Sequence, residues 1–182
     1  VERLPTLTSC SAIKIFMMEN QITHAFAILA PVPERHLMSA QAAIAAQLAA
    51  DPPEIPPVLA YGSKAFEVFR KADEERAGRP VDIFIYASHA QEQTLKPQAT
   101  WKATYFKHVD SRRGRYPGKA LHRPPSTEQD KQDYWAIYWL VQDLEKLATP
   151  IPISDFRGYD KKSDYLTNFV PEGPLLVAHP GC

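Results

Sequence analysis

The sequence predicts an α+β fold, a small mixed β-barrel, partly closed and flanked by helices. Three observations lead there. Apolar runs of strand length recur along the chain, most of them from Val81 onward. Two helix-forming stretches precede that point. The 17 prolines argue against a helical bundle and favour short strands joined by rigid loops. Strands and helices do not alternate regularly, so a small barrel fits better than a series of βαβ units. With 182 residues the chain is long enough for one domain with a sizeable core, and a single domain over 1–182 is expected. Residues 1–80 would supply a first strand or hairpin and two helices, and residues 81–182 most of the barrel.

Taken in order, Ser11–Met18 is apolar enough for a strand, and Glu19-Asn20-Gln21 is a plausible turn. Ile22–Ala30 reads as a buried strand ended by Pro31-Val32-Pro33. Arg35–Ala50 is made of helix formers, with Leu37, Ile44 and Leu48 sharing a face. The DPPEIPP segment that follows is a rigid, extended connector. Ser63 is placed to cap a helix running through Phe66, Phe69 and Arg76 to Gly78. Val81–Ala87 is the clearest strand of the first half, with Ser88-His89 at its end. Thr100–Val109 alternates, placing Trp101, Ala103, Tyr105 and Lys107 on one face. Asp110–Thr127 reads as a long polar loop. Tyr134–Val141 is a strand, Leu144–Leu147 a turn or one helical turn, and Pro150–Ile153 extended. Ser154-Asp155 starts a short helix, and Leu175–Ala178 is the closing strand.

Formal net charge is zero, so affinity for a polyanion has to come from clustered charge. Such a cluster exists: Lys102, Lys107, Arg112, Arg113, Arg115, Lys119 and Arg123 lie in a stretch whose one acid is Asp110. Arginines pair bidentately with phosphates, so these seven are candidate contacts to a nucleic-acid backbone. A solvated loop with no ligand is the plainer alternative. Aromatic residues crowd the same region, among them Tyr86, Trp101, Tyr105, Trp135 and Trp139. Any one of these is more often core than pocket. Both faces of YWAIYWLV carry rings, however, so some ring has to lie outside the main core. A pocket of two or three rings gains about 1–3 kcal/mol per stacked base.

The motifs of catalysis are absent from the sequence. Ser88 and His89 are adjacent, so on a strand they face opposite ways, and no Gly-x-Ser-x-Gly surrounds Ser88. There is no His-x-x-x-His, Cys-x-x-Cys or phosphate-cradling Gly-rich loop. No metal, cofactor or catalytic set is expected, and a binding module is the preferred reading. Cys10 and Cys182 lie near the two ends; a bridge is one option, a reduced cytoplasmic protein the preferred one. No run reaches membrane-span length, and no signal peptide precedes the first strand. The chain starts on Val1 rather than Met, which fits a piece of a longer protein.

Three segments resemble the EVE domain, a PUA-like relative of the YTH and ASCH domains. Phe84-Ile-Tyr86-Ala-Ser88 is similar to the strand that ends in an aromatic and a serine at that family's pocket. Leu147–Phe156 resembles its Leu…Pro-Ile-x-Leu segment, and Pro174–Pro180 its closing strand. The resemblance covers about half the chain, from Val81 onward. It departs from the family where a Gly-rich strand is replaced by Ala99-Thr-Trp-Lys-Ala-Thr, and where Pro174-Leu-Leu stands for Arg-Leu-Ser. It implies a PUA-like barrel whose pocket receives an extruded, modified base of DNA or RNA, as in specificity modules of modification-dependent restriction and defence systems. By position it places Tyr86, Ser88 and His89 on the pocket rim, with Trp101, Tyr105 and Trp135 as ring candidates. An effector nuclease or motor domain in the full-length protein would be the expected partner. The rivals are an ASCH-like small hydrolase or ribonuclease, recruiting Lys102, Thr104 and Glu92, and a protein-interaction domain of a larger assembly.

Overall fold

The computed structural model describes residues 21–91, 96–130 and 134–181. The expected strand Ser11–Met18, most of the turn after it, Glu92 and both cysteines lie outside the described residues. The rest builds an α+β fold around one six-stranded sheet. The strands are β1 (Thr23–Pro33), β2 (Leu59–Ser63), β3 (Val81–Ser88), β4 (Gln98–Asp110), β5 (Ile137–Pro152) and β6 (Leu175–Val177). Helices α1 (Glu34–Leu48) and α2 (Phe66–Glu75) follow β1 and β2. The sheet order is β2-β5-β4-β3-β1-β6, with β1 and β3 parallel and every other pair antiparallel.

The expected barrel does not form. β2 and β6 are open edges, and the sheet does not close. The two long central strands bend instead: β4 and β5 shift register three times along their pairing. One of these breaks lies beside Asp143, whose φ of 54° is a left-handed conformation inside the strand. Such breaks let β5 continue for 16 residues through Leu144–Leu147, where the sequence suggested a turn. β2 was not anticipated; its strand conformation comes from pairing with β5 from Leu59↔Val141 to Ser63↔Ile137. Ser63 belongs to that strand, and its hydroxyl accepts the Ala65 N–H locally rather than capping α2. β1 runs on through Pro31 and Pro33, past the three residues that β6 covers, where a strand tolerates a missing N–H.

Three apolar clusters fill the faces of this sheet. The helix side holds the largest, with Ile28, Ile83, Ile85, Trp101, Tyr105 and Trp139 packed under Leu37 of α1 and Phe69 of α2. On the opposite face, Leu29, Phe84 and Val177 are covered by Ile153 and Phe156. Near β2, Tyr138 and Leu140 meet Val109, Tyr116 and Trp135 in the third cluster. Among the described residues, no helix is long and apolar enough to cross a membrane.

Candidate functional site

A cleft of about 1180 Å³ opens at the carboxyl ends of the parallel strands β1 and β3, where the chain turns into α1. Open sheets containing parallel strands commonly take their ligands at this end. Its walls come from Pro31–His36, Tyr61–Ala65, Tyr86, Ser88, His89, Arg123, Thr127, Asp130, Trp135, Trp139 and residues 170–174. Each side chain is there for a local reason. Ser88 ends β3, and His89 follows with a φ of 54°, which turns the chain out of the sheet. Trp135 lies flat over β2 because Gly62 has no side chain; a Cβ there would meet the indole at 2.4 Å.

Four of the six pocket residues expected from the sequence therefore share one cleft: Tyr86, Ser88, His89 and Trp135. Trp101 and Tyr105 do not. Both are buried in the helix-side core, and the Tyr105 hydroxyl donates to Asp73 at 3.0 Å. The alternation put them correctly on one face, but the helices cover that face.

The basic stretch divides in the same way. Arg112–Arg115 is not a slack loop but a tight hairpin turn. The Arg112 N–H donates to Arg115 C=O at 2.8 Å, and the Arg115 N–H returns to Arg112 C=O at 3.1 Å. Arg113 (φ 53°) and Gly114 (φ 76°) both take left-handed angles, as a primed two-residue turn requires. The side chains of Arg112, Arg113 and Arg115 are all exposed. Lys107 is exposed too, on β4 near the Phe106 ring. Arg115 lies over the Tyr134 ring at 5.5 Å, and the remaining three have partners as well. Lys119 is paired with Glu54, and hydrogen bonds from Lys119 and then His122 hold that carboxyl below its usual range. Arg123 donates to the Ala60 carbonyl and lies over the Tyr138 ring at 4.9 Å. Lys102 points to the other side of the sheet, 3.3 Å from Asp82. These three thus have partners within the fold.

Trp135 joins the basic turn to the cleft. Its backbone N–H donates to the Gly114 carbonyl at 3.2 Å, and the Tyr138 hydroxyl donates to the same oxygen at 3.2 Å. A smaller hollow lined by Arg115 shares Trp135, Arg123, Thr127 and Asp130 with the cleft, so the two recesses meet at the indole. Comparison of the chain with protein families, curated proteins and solved structures returns no match.

Sequence spacing gave no sign of two further features of the cleft. The first is a chain of polar groups between α1 and the short 3-10 helix Pro125–Asp130. His36 Nε2 meets Asp130 at 2.7 Å, and His36 Nδ1 meets the Ser126 hydroxyl at 2.7 Å. Arg35 also donates to Asp130 at 2.6 Å. Ser, His and Asp in this order are the parts of a nucleophile relay. Here, however, Ser126 is also held by Ser39 at 2.7 Å, and it is not part of the cleft wall. The network fastens the 125–130 turn, and with it one side of the cleft, to α1.

Burial, working against the Asp130 charge, lowers the His36 pKa from its ordinary 6.5. As pH falls below 6.5, the unfolded chain therefore takes up the proton before the folded one does. Stability should decline over that interval and level off once folded His36 is protonated. Melting temperatures from pH 7.5 to about 5 should fall more steeply for the parent than for His36→Gln. Parallel curves would contradict this assignment.

The second feature is Tyr61, which is 3% exposed, with a hydroxyl that has no hydrogen-bond partner among the described residues. Burial raises its pKa, so it stays a neutral donor. An unpaired buried donor costs about 1–3 kcal/mol. The oxygen is closed to solvent, so this is a cost carried by the fold beside the cleft.

Proposed function

We propose that this chain is a nucleic-acid-binding module that receives a single unstacked base in the cleft. Trp135 is the stacking surface, Ser88 and His89 supply polar contacts, and Arg112, Arg113 and Arg115 engage the backbone. One observation carries the reading: Trp135 walls both the cleft and the hollow beside Arg115, while its backbone amide is bonded to the arginine turn. A base against the indole would lie beside the hollow that Arg115 lines, on the turn that also carries Arg112 and Arg113. The resemblance to EVE domains supports the same reading and adds a modified base as the ligand, with an effector nuclease or motor domain as the partner in a longer protein. The open sheet departs from that family's barrel, so the cleft carries more of the case than the resemblance.

The test is equilibrium binding to short duplex and single-stranded DNA and RNA. The oligonucleotides carry unmodified cytosine and adenine, 5-methylcytosine, 5-hydroxymethylcytosine or N6-methyladenine. The expected result is binding that favours one modified base and weakens about 5- to 150-fold in Trp135→Ala. Absence of binding at low salt across the panel would sink the proposal. Equal affinity for every base would remove the modified-base part of it.

A further inference from the structure

A second cluster lies at the other end of the parallel strands, away from the cleft. It is formed by His24 at the start of β1, Asp82 near the start of β3 and His179 just after β6. His179 Nε2 stands 2.9 Å from Asp82 Oδ2 and 3.4 Å from His24 Nδ1. The two imidazoles meet edge to face at 4.7 Å, and Phe84 packs edge-on against the His179 ring at 5.8 Å, which limits its rotation. Donor atoms from all three residues lie within 4.8 Å of one another. Bonds of 2.0–2.1 Å from a tetrahedral zinc to nitrogen put neighbouring ligand atoms about 3.3 Å apart. The observed separations bracket that value.

The charge balance points the same way. Asp82 is 2% exposed, and its Oδ1 makes no hydrogen bond, although Lys102 Nζ is 3.3 Å away. A buried carboxylate with one poorly satisfied oxygen is costly, and a cation on its other oxygen offsets that cost. Lys102 then stands behind the carboxylate as an orienting group, as outer partners of metal-bound carboxylates commonly do. Two imidazoles and one carboxylate favour zinc or a similar transition ion over magnesium or calcium.

We infer that His24, Asp82 and His179 form a binding site for a divalent transition metal such as Zn²⁺, with the fourth position taken by water. The site ties the segment after β6 to the first turns of β1 and β3. Binding also moves a proton. Without metal, His179 Nδ1 accepts the Gly181 N–H at 3.0 Å, so Nε2 carries the proton and donates to Asp82. A metal on Nε2 shifts that proton to Nδ1 and releases the Gly181 amide, which is exposed and turns to water. The sequence gave no hint of this site, because its members come from positions 24, 82 and 179 and have no ligand spacing.

The experiment uses the full chain with Cys10→Ser and Cys182→Ser, so that thiols do not contribute. Zn²⁺, Co²⁺ and Mg²⁺ are titrated by calorimetry, and Co²⁺ also by visible absorption. The expected result is one Zn²⁺ per chain, a tetrahedral Co²⁺ spectrum, no heat with Mg²⁺, and more than about tenfold weaker Zn²⁺ binding in each of His24→Ala and His179→Ala. His24 is exposed, so its variant keeps the fold, and a thermal melt verifies this. Absence of Zn²⁺ binding in the parent, or a loss of less than about tenfold in either histidine variant, overturns the inference. Neither outcome depends on nucleic-acid binding.

Discussion

Trp101→Ala is expected to destabilise the fold by about 3–5 kcal/mol, the range for removing a large buried aromatic from a packed core. Trp101 is 6% exposed, lies opposite Ile85 on β3, and belongs to the cluster beneath α1 and α2. Total stabilities of native domains are about 5–15 kcal/mol, so this one truncation removes a large share. For a chain of this length it should lower the melting temperature by about 10 °C or more. Trp135→Ala should cost much less, because its ring is only half-buried and packs over Gly62 at the open end of the sheet. Denaturant titration of the two variants checks the contrast. A Trp101→Ala loss below about 1 kcal/mol would mean that the ring is not in the core, and would return it to the list of pocket candidates.

That contrast marks how far the sequence could be read. The alternation in TWKATYF put Trp101, Ala103 and Tyr105 on one face, and they are there. Which face would be buried was not legible. It depends on α1 and α2 crossing that side of the sheet, and no local pattern in residues 98–110 records where a distant helix packs. The strands with their own signal, β1, β3 and β4, were found within a few residues of their ends. β2 was not, since LAYGS is only five residues long and is a strand by virtue of β5 beside it. Leu144–Leu147 failed for a related reason. Glu145 and Lys146 read as a polar turn, but they sit on a bent strand past a register break and pair with Lys102 and Trp101.

The site divides along the same line. Tyr86, Ser88 and His89 were legible as pocket residues because a strand end presents its side chains to whatever cavity the sheet leaves there. Trp135 was legible as one ring among several. His36, Ser126 and Asp130 were not, because the contacts that join them span 90 positions or more. The basic run was legible as a cluster, but not what each of its side chains touches. Charge counting cannot tell Arg113, exposed on a turn, from Arg123, which lies against Tyr138 and the Ala60 carbonyl.

The arginine turn and the indole should fail in different ways, and this separates the two halves of the proposed interface. Each phosphate contact contributes about 0.7–0.9 to the slope of log affinity against log salt. Replacing Arg112, Arg113 and Arg115 together with glutamine should therefore flatten that slope by about 2–3. The turn should survive the change, because its two hydrogen bonds are backbone to backbone and Gly114 is untouched. Trp135→Ala should do the opposite. It removes stacking, which is nearly independent of salt, so affinity drops at every salt concentration while the slope holds. Binding isotherms at four salt concentrations for the parent and both variants are sufficient. A slope unchanged in the triple variant would show that the turn meets no phosphates, and the three arginines would then be a solvated surface. A slope that collapses in Trp135→Ala would mean that the indole holds the turn in place rather than stacking a base. The packing of the ring over Gly62 would then be its main contribution, because the backbone bond from residue 135 to the Gly114 carbonyl survives the substitution.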